Sequence, residues 1–597
     1  MRRETGRRAG WRAIAVARAP TLTLFILLAP IAAGLIGTLL PAFGWLPVVG
    51  ATDFSLEPWR KLLADPGLAQ SLTLTVWTGF ATTALSLLLT LGLLATCYQT
   101  PWLRRIQQTL APLLAVPPAV LAFGLAFLIA PSGWLARWFS PWATGWDRPP
   151  NLAGFGPQDP WGLSLIFALM LKETPYLLFM GLMGLAQLPV ASWSAMSRSL
   201  GYGSTATFLK VILPSLYPLL RLPIFAALAF ALTTVDVALI IGPSTPPTLA
   251  VQTLRWFNHP ELTWRLPASA AAILLILLTL LSLASWEASV RLLGRLTRPW
   301  LTDGGRGSSS SLPRQLALGS GALALSFAGL SILAMLPWSF THRWLFPLAW
   351  PDQWTLENWT GQATNLCAMT SATLSIGVAA TGLAVVLSVA CLEYEAHRRR
   401  AFSGRGLWLL YLPLLMPQVG FLFGIQVLLA WSGLDGGWPA LVWTHLLFVL
   451  PYVFLSLADP WRTFDSRYEQ TALALGASRA RAFWRVKLPM LRGPVAVAAA
   501  VGFSVSVAQY LPTLFAGAGR HATITTEAVT LASGANRRLI GVFAVMQAAL
   551  PLLGFAAALW VMRGLEPVSA GARLADRVKL VILWLRSRKS RILGRTK

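Results

Sequence analysis

Twelve stretches of this chain are each long and apolar enough to cross a lipid bilayer, and that pattern leaves few folds open. A hydrocarbon core of about 30 Å takes about 20 mostly apolar residues per helix. Such stretches lie near 21–43, 70–97, 111–130, 161–187, 222–242 and 267–288. They recur near 315–337, 368–391, 408–430, 438–458, 492–515 and 538–562. Lipid offers the backbone no hydrogen bonds, so continuous apolar runs of this length must close their bonds internally as α-helices. The alternative, a large soluble enzyme with buried helices, fails on composition. Hydrophobic residues make up 55% of the 597 residues and charged ones only 12%, against about 25% charged in a soluble domain. The expected fold class is an all-α integral membrane protein with about twelve transmembrane helices.

The first run, Leu22–Leu40, follows a basic arm (1–20) that holds Arg2, Arg3, Arg7, Arg8, Arg12 and Arg18. A secretory signal has similar flanks, but this run is longer and eleven more follow, so it reads as an uncleaved first helix. Orientation comes from Lys and Arg, which accumulate in cytoplasmic loops. With the N-terminus inside, the inner segments are 1–20, 98–110, 188–221, 289–314, 392–407, 459–492 and 563–597. They carry 37 of the 48 Lys and Arg, the outer segments carry ten, and Lys172 sits inside a span. Both termini are therefore expected in the cytoplasm.

The net charge of +26 is spread between apolar runs rather than gathered on one packed face, which excludes nucleic acid as the expected partner. The tail 563–597 spaces Leu580, Val581, Leu583, Trp584, Ile592 and Leu593 among charges. It reads either as a basic interfacial helix on an anionic leaflet or as a plain solvated tail. Cys97, Cys367 and Cys391 form neither a disulfide framework nor a metal-binding spacing.

A polar segment, 301–314, contains Thr302-Asp303-Gly304-Gly305-Arg306-Gly307 and four serines. By composition it is a flexible cytoplasmic linker, and it divides six spans (21–300) from six (315–562). Comparing the two sets uncovers a repeat. After the fourth span the chain reads Ser199-Leu200-Gly201-Tyr202-Gly203 and then Val211-Ile212-Leu213-Pro214. After the tenth it reads Ala474-Leu475-Gly476-Ala477-Ser478 and then Val486-Lys487-Leu488-Pro489. Gly to Pro is thirteen residues in both copies, and the copies lie 275 apart. One Leu-Pro pair is weak in so apolar a chain; two at equal spacing and equal topological position are strong. Thr471–Leu475 and Ser478–Val486 are expected to be helical, with Gly476 permitting a sharp turn between them. Pro489 fits the first turn of the next helix. Arg479, Arg481, Arg485 and Lys487 hold the segment at the wet interface, so it is a short helix presented to the cytoplasm. The bland alternative is an elbow joining two spans.

These segments resemble the EAA loop of binding-protein-dependent ABC importer permeases, whose pattern is EAA, three residues, Gly, nine residues, an aliphatic, one residue, then Leu-Pro. In the second loop (469–489), Gln470-Thr471-Ala472 stands for EAA with Glu469 just before it, followed by Gly476, Val486, Leu488 and Pro489. The first loop (195–214) is degenerate: Ala195-Met196-Ser197 replaces EAA, while Gly201, Val211, Leu213 and Pro214 hold. The resemblance covers nearly the whole chain. It extends to the fused double permeases of the ferric-iron and thiamine type, and within them to the YnjC-like inner membrane permeases. Val235–Pro243, Pro246–Val251, Ala508–Leu514, Gly517–Arg520 and Thr525–Val529 carry that part.

The resemblance implies two six-helix, MetI-like halves about a pseudo-two-fold axis, multi-pass in a bacterial inner membrane. It implies two copies of a cytoplasmic ABC ATPase docked on the loops and a periplasmic solute-binding protein. ATP would be bound by the ATPase, with no cofactor and no catalytic residue on this chain. The solute is left open among thiamine-like, ferric-iron, polyamine and anion cargoes.

Ionisable groups inside a bilayer are costly and are functional candidates by default. Lys172 and Glu173 lie near mid-depth of the fourth span and Asp236 in the outer third of the fifth. Asp236 has two readings: a structural ion pair with Lys172, or a place on the translocation path, where an acid would favour a cation. Aligning the fifth spans of the halves sets Asp236 opposite Gln509, next to Tyr510, near the pseudo-axis. His445, Gln418, Gln426 and Gln547 are weaker candidates, each readily explained by a hydrogen bond to a neighbouring helix.

No Lys follows a Gly, so no GxxxxGK[ST] phosphate loop is present. No HExxH, CxxC or G-x-S-x-G occurs either, and the chain is not expected to be an enzyme. A twelve-span proton-coupled carrier, with Asp236, Lys172 and Glu173 as its relay, is the alternative. It leaves the repeated Gly-to-Pro loops unexplained. A lipid-linked sugar transferase would need acids on the first outer loop; Asp53, Glu57 and Asp65 are there, but form no pair or metal-type cluster.

Overall fold

The computed structural model describes residues 2–98, 100, 113–151, 154, 156–306, 311–398, 404–532, 534 and 536–563. The tail beyond 563, most of the inner loop 98–110 and residues 307–310 of the linker lie outside them. Among the described residues, ten helices are long and apolar enough to cross a bilayer. An eleventh crossing is a bent pair, Arg479–Met490 and Arg492–Val507, meeting at 70°.

The remaining expected span, near 408–430, is two short helices, Gly404–Leu415 and Val419–Trp431. Pro417 has no N–H to continue the ladder and pushes Met416 away from helical geometry. The third span is interrupted in the same way at Val116 and Pro117, ahead of the helix Pro118–Ile129. Helix ends also move. The first helix runs from Arg2 through the basic arm to Ala42, and the sixth continues to Leu296.

Helical elements recur in the same order along the chain. Leu163–Ala186 and Trp438–Arg462 begin 275 residues apart. The same spacing separates the π-turns Phe208–Ile212 and Phe483–Lys487. It also separates the short helices Asp236–Ile241 and Leu511–Gly517, and then Leu249–Phe257 and Ile524–Ala532. A proline follows each π-turn (Pro214, Pro489); the wider turn takes up the missing N–H and the bulk of the ring.

The first helix of each set packs on the other set as well as on the last helix of its own, Arg265–Leu296 and Arg537–Arg563. Arg2–Ala42 lies against Val419–Trp431 and Ala363–Arg398, while Ser311–Ser339 lies against Pro118–Ile129 and Leu68–Cys97. Both crossings depend on small residues, as membrane helix contacts do where no hydrophobic drive separates helix from lipid. A Cβ on Gly424 would fall on the carbonyl oxygen of Gly34, and one on Gly124 on that of Ser331. The Gly424 N–H donates to Thr38 Oγ1 at 3.2 Å across the first crossing. One buried apolar cluster runs through helices of both sets. A second, around Leu94, Leu177, Phe208 and Leu216, underlies the first Gly-to-Pro loop.

At the end of the bundle away from the Gly-to-Pro loops, the buried Arg137 donates to the carbonyls of Ser132, Trp344, Leu345 and Leu348. Its guanidinium also lies over the Trp344 ring at 4.8 Å. This ties the end of the third span to the loop after the seventh, next to a small antiparallel pairing of Thr341–Arg343 with Gln353–Trp354.

Candidate functional site

The second Gly-to-Pro loop is an exposed bracket. Helix Arg467–Ala474 buries no residue, and Leu475 at its end is 84% exposed. Gly476 then reverses the chain with φ 84°, and nothing lies within 4 Å of where its Cβ would be. That left-handed conformation is open to glycine and costly for other residues. Ser478 caps the next turn, its hydroxyl accepting from the Arg481 N–H at 3.3 Å. Glu469 is partly exposed and Gln470 exposed on the first helix, with Ala472 partly covered. Val486, Leu488 and Pro489 are partly covered on the second arm. Tyr468, Trp484 and Met490 add exposed apolar side chains to the same bracket.

Buried charge holds this bracket to the bundle. Lys487 Nζ donates to Glu393 Oε2 at 2.6 Å, the two side chains 3% and 11% exposed. The ammonium lies 5.1 Å from the Trp461 ring centre. Beside it, Arg462 binds Glu395 through two nitrogens at 3.1 and 3.2 Å. Sequence reasoning missed Glu393, Glu395 and Arg462, since it treated charge between spans as solvated. An acid pair at the inner end of the eighth span, opposite a Lys in the loop, was the available signal.

The first loop has the same backbone and different anchors. Helix Val190–Ser199 leads into Gly201 at φ 83°, and the chain then runs on as one crossing from Ser204 to Thr233 without the 70° bend. Val211 and Pro214 are exposed and Leu213 partly so. Met196 and Leu200 are 60% and 58% exposed. Tyr98 takes the place of the acidic anchors: its hydroxyl donates to the Ser204 carbonyl at 3.3 Å, and its ring lies 5.7 Å from that of Phe208.

Inside the membrane the candidates separate. Lys172 does not pair with Asp236. Its Nζ donates to the carbonyls of Leu114 at 3.2 Å and Val116 at 2.6 Å. Leu114 would ordinarily accept from the residue four further on, which is Pro118 and has no N–H. Lys172 supplies the donor that the Pro117-Pro118 break removes. Glu173, one residue along and pointing elsewhere, is buried, and neither carboxyl oxygen meets a hydrogen-bond partner among the described residues.

Asp236 opens the short helix after a break at Thr234 and Val235, and Thr234 Oγ1 donates to its Oδ1 at 3.0 Å. Its side chain is only partly buried, deep within the bundle. The matching break at Ala508–Tyr510 corrects the expected alignment. With both short helices in register, Thr234 matches Gln509, Val235 matches Tyr510, and Asp236 matches Leu511. Gln509 and Tyr510 are themselves largely buried.

His445 is accounted for by neighbours, with ring nitrogens 2.8 Å from Ser506 Oγ and 2.9 Å from Thr513 Oγ1. Gln547 donates to Thr525 Oγ1. An aromatic seam also joins the two sets of helices. Phe257 stacks on Phe423 at 4.2 Å and meets Phe515 edge-on at 6.0 Å. Among the described residues no three His, Cys, Asp or Glu side chains gather to hold a metal ion.

A mostly helical, multi-pass membrane protein of this kind, with repeated elements and exposed Gly-to-Pro brackets, has the build of a transport permease. Comparison with known proteins defines it further. The chain is 34% identical over 523 residues to the inner membrane ABC transporter permease protein YnjC of Escherichia coli (strain K12), covering 87% of this chain and 93% of that protein. It is 32% identical over 193 residues to the molybdenum transport system permease protein ModB of Mycobacterium tuberculosis (strain ATCC 25618 / H37Rv), covering 30% of this chain and 70% of that one. To the putrescine transport system permease protein PotI of Escherichia coli (strain K12) it is 27% identical over 197 residues, covering 31% and 68%. No protein-family model matches the chain. The chain belongs to the family of inner membrane ABC transporter permeases.

Proposed function

We propose that the chain is the permease subunit of an ABC importer, with residues 21–300 and 315–562 acting as its two halves and both termini in the cytoplasm. Each Gly-to-Pro loop docks on one copy of a separate cytoplasmic ATPase, which binds the ATP. A periplasmic binding protein delivers a small solute at the outer face. ATPase closure moves the loops together and rocks the halves as rigid bodies, alternating access about the pseudo-two-fold axis. Asp236, Gln509 and Tyr510 line the path where the two broken spans approach. Lys172 serves the bundle by capping carbonyls.

The observation that carries this reading is the second bracket: an exposed helix and an open glycine turn, pinned to the bundle by Lys487 and Glu393. An element built so rigidly and left so bare supports a protein partner. The solute is a finer matter. Relatives named for molybdenum and for putrescine both match part of the chain, so the resemblance does not choose the solute. The ferric-iron or thiamine class is one reading among these, and the partial exposure of Asp236 favours a cation.

The test is co-purification of the detergent-solubilised chain with the ATPase encoded beside it, for the wild type and Gly476→Asp. A complex with two ATPase copies, weakened in the variant, supports the importer. A wild type that retains no ATPase in any nucleotide state favours the proton-coupled carrier.

A further inference from the structure

The two brackets differ in what lies behind them. The second is pinned by Lys487–Glu393 and Arg462–Glu395; the first is backed by the segment that leaves the sixth span. Lys210, which matches Arg485 at the 275-residue spacing, lies in the π-turn ahead of Pro214. Its Nζ reaches Asp303 Oδ1 at 2.5 Å and the Gly305 carbonyl at 3.0 Å, and lies 4.8 Å from the Trp300 ring centre. The ammonium, with three donors to place, is thus largely enclosed: the Lys210 side chain is 7% exposed.

Asp303 also accepts from the Gly305 N–H at 2.8 Å, which fixes the turn. The Gly203 N–H donates to the Arg306 carbonyl at 3.2 Å, and a Cβ on Gly201 would meet Arg306 Cδ at 3.3 Å. The linker therefore touches the Gly201 turn itself, at the position left open beside Gly476. It does so without covering the apolar side chains of the bracket, since Met196 and Leu200 stay exposed. Trp300, 44% exposed, and the exposed Arg306 stand beside them.

We propose that Trp300–Arg306 is a built-in part of the first ATPase-docking surface, a brace that holds the degenerate bracket in its docking shape and adds Trp300 and Arg306 to the face the ATPase meets. This rests on the reading of the brackets as ATPase-docking loops. Together with Tyr98, the brace stands where the second copy has its buried ion pairs. A segment that composition marks as a flexible tether is thereby a working element along its first half.

The test uses the full chain co-expressed with its ATPase, as wild type, Asp303→Lys, and the charge swap Lys210→Asp with Asp303→Lys. Native mass measurement counts the bound ATPase copies, and hydrogen exchange follows 196–212 and 467–489. Asp303→Lys is expected to shift the population from two bound copies to one. Exchange should rise at least tenfold across 201–212 and stay unchanged across 467–489, and the swap should restore both readouts. Two copies retained on Asp303→Lys overturns the brace. Tighter binding or faster ATP hydrolysis in that variant also overturns it, because the linker would then be a cover. A wild type without ATPase removes the importer reading and the brace with it, an outcome separate from a wild type that binds two copies and a variant that does the same.

Discussion

Lys487 and Glu393 meet at 2.6 Å beneath the second bracket, the one from the loop and the other from the inner end of the eighth span. Neither has enough water to remain charged alone at low cost. Breaking a buried pair from one side costs about 3–5 kcal/mol, because the surviving charge is left uncompensated. Lys487→Met is therefore expected to loosen 479–490 and cut ATP-coupled uptake severalfold. Adding Glu393→Gln should recover part of the lost thermal stability but little of the uptake. A double-mutant cycle on melting temperature, run beside the transport assay, checks both.

Gly476 and Gly201 share a φ near 84°, so Ala at either adds about 1–2 kcal/mol of left-handed strain. Among the described residues nothing braces the turn at Gly476 from outside, and the strain must be relieved by moving the bracket. Gly476→Ala should lower uptake severalfold at unchanged membrane abundance, and Gly476→Asp further. At Gly201 the backing linker restrains the turn, so Gly201→Ala is expected to cost less. Equal losses in uptake, normalised to protein level, would refute the asymmetry.

Much of this was legible in the apolar runs, the Lys and Arg bias and the Gly-to-Pro spacing, because each follows from bilayer thickness, charge or the chemistry of glycine and proline. Pro417 interrupts the 408–430 span because it has no N–H for the hydrogen-bond ladder, a break that hydropathy alone does not place. The anchors were hidden for another reason. Glu393 and Lys487 are 94 residues apart, and only packing brings the eighth span under the tenth-to-eleventh loop. Aligning the fifth spans by sequence sets Asp236 opposite Gln509, whereas the paired breaks put Thr234 there. The linker looked flexible by composition, yet Asp303 and Lys210 give it a fixed place.

Asp236 and Lys172 are independent in the structure, which makes their substitutions separable. Asp236→Asn retains the Thr234 contact and is expected to change uptake or its solute dependence while folded protein is unchanged. Lys172→Met leaves two buried carbonyls without their donor, at about 1–3 kcal/mol each. It should reduce the monodisperse fraction on size exclusion. Combining the two should add the defects; mutual rescue would restore the ion-pair reading.

Phe257 closes the seam between the two sets of helices, buried against Phe423 and Phe515. Truncating a buried Phe to Ala costs about 3–5 kcal/mol in a core, here concentrated at the contact between the two sets. Phe257→Ala is expected to raise ATP hydrolysis in the absence of solute and to weaken its coupling to uptake. Phe257→Leu, which leaves most of the volume in place, should lie between. Unchanged basal hydrolysis in Phe257→Ala would show that the seam bears no load during transport.

Asp303 gives the linker contact a pH dependence of definite sign. The Lys210 ammonium bond, followed by the Gly305 N–H, holds its carboxyl below the ordinary carboxylate range. A carboxylate depressed on folding contributes stability that is fully present above its unfolded pKa and is lost as pH falls through the folded value. Between pH 6 and 8 the contact should therefore be indifferent to pH. Below the ordinary carboxylate range it should open, and hydrogen exchange across 201–212, corrected for its intrinsic pH dependence, should accelerate only there. The carboxylate is solvent-exposed, so added salt should weaken the contact at neutral pH as well. Asp303→Asn should remove the acid transition while leaving the Gly305 carbonyl bond to Lys210 in place, which separates the charge from the rest of the brace. Acceleration starting near neutral pH would mean that another group controls the linker.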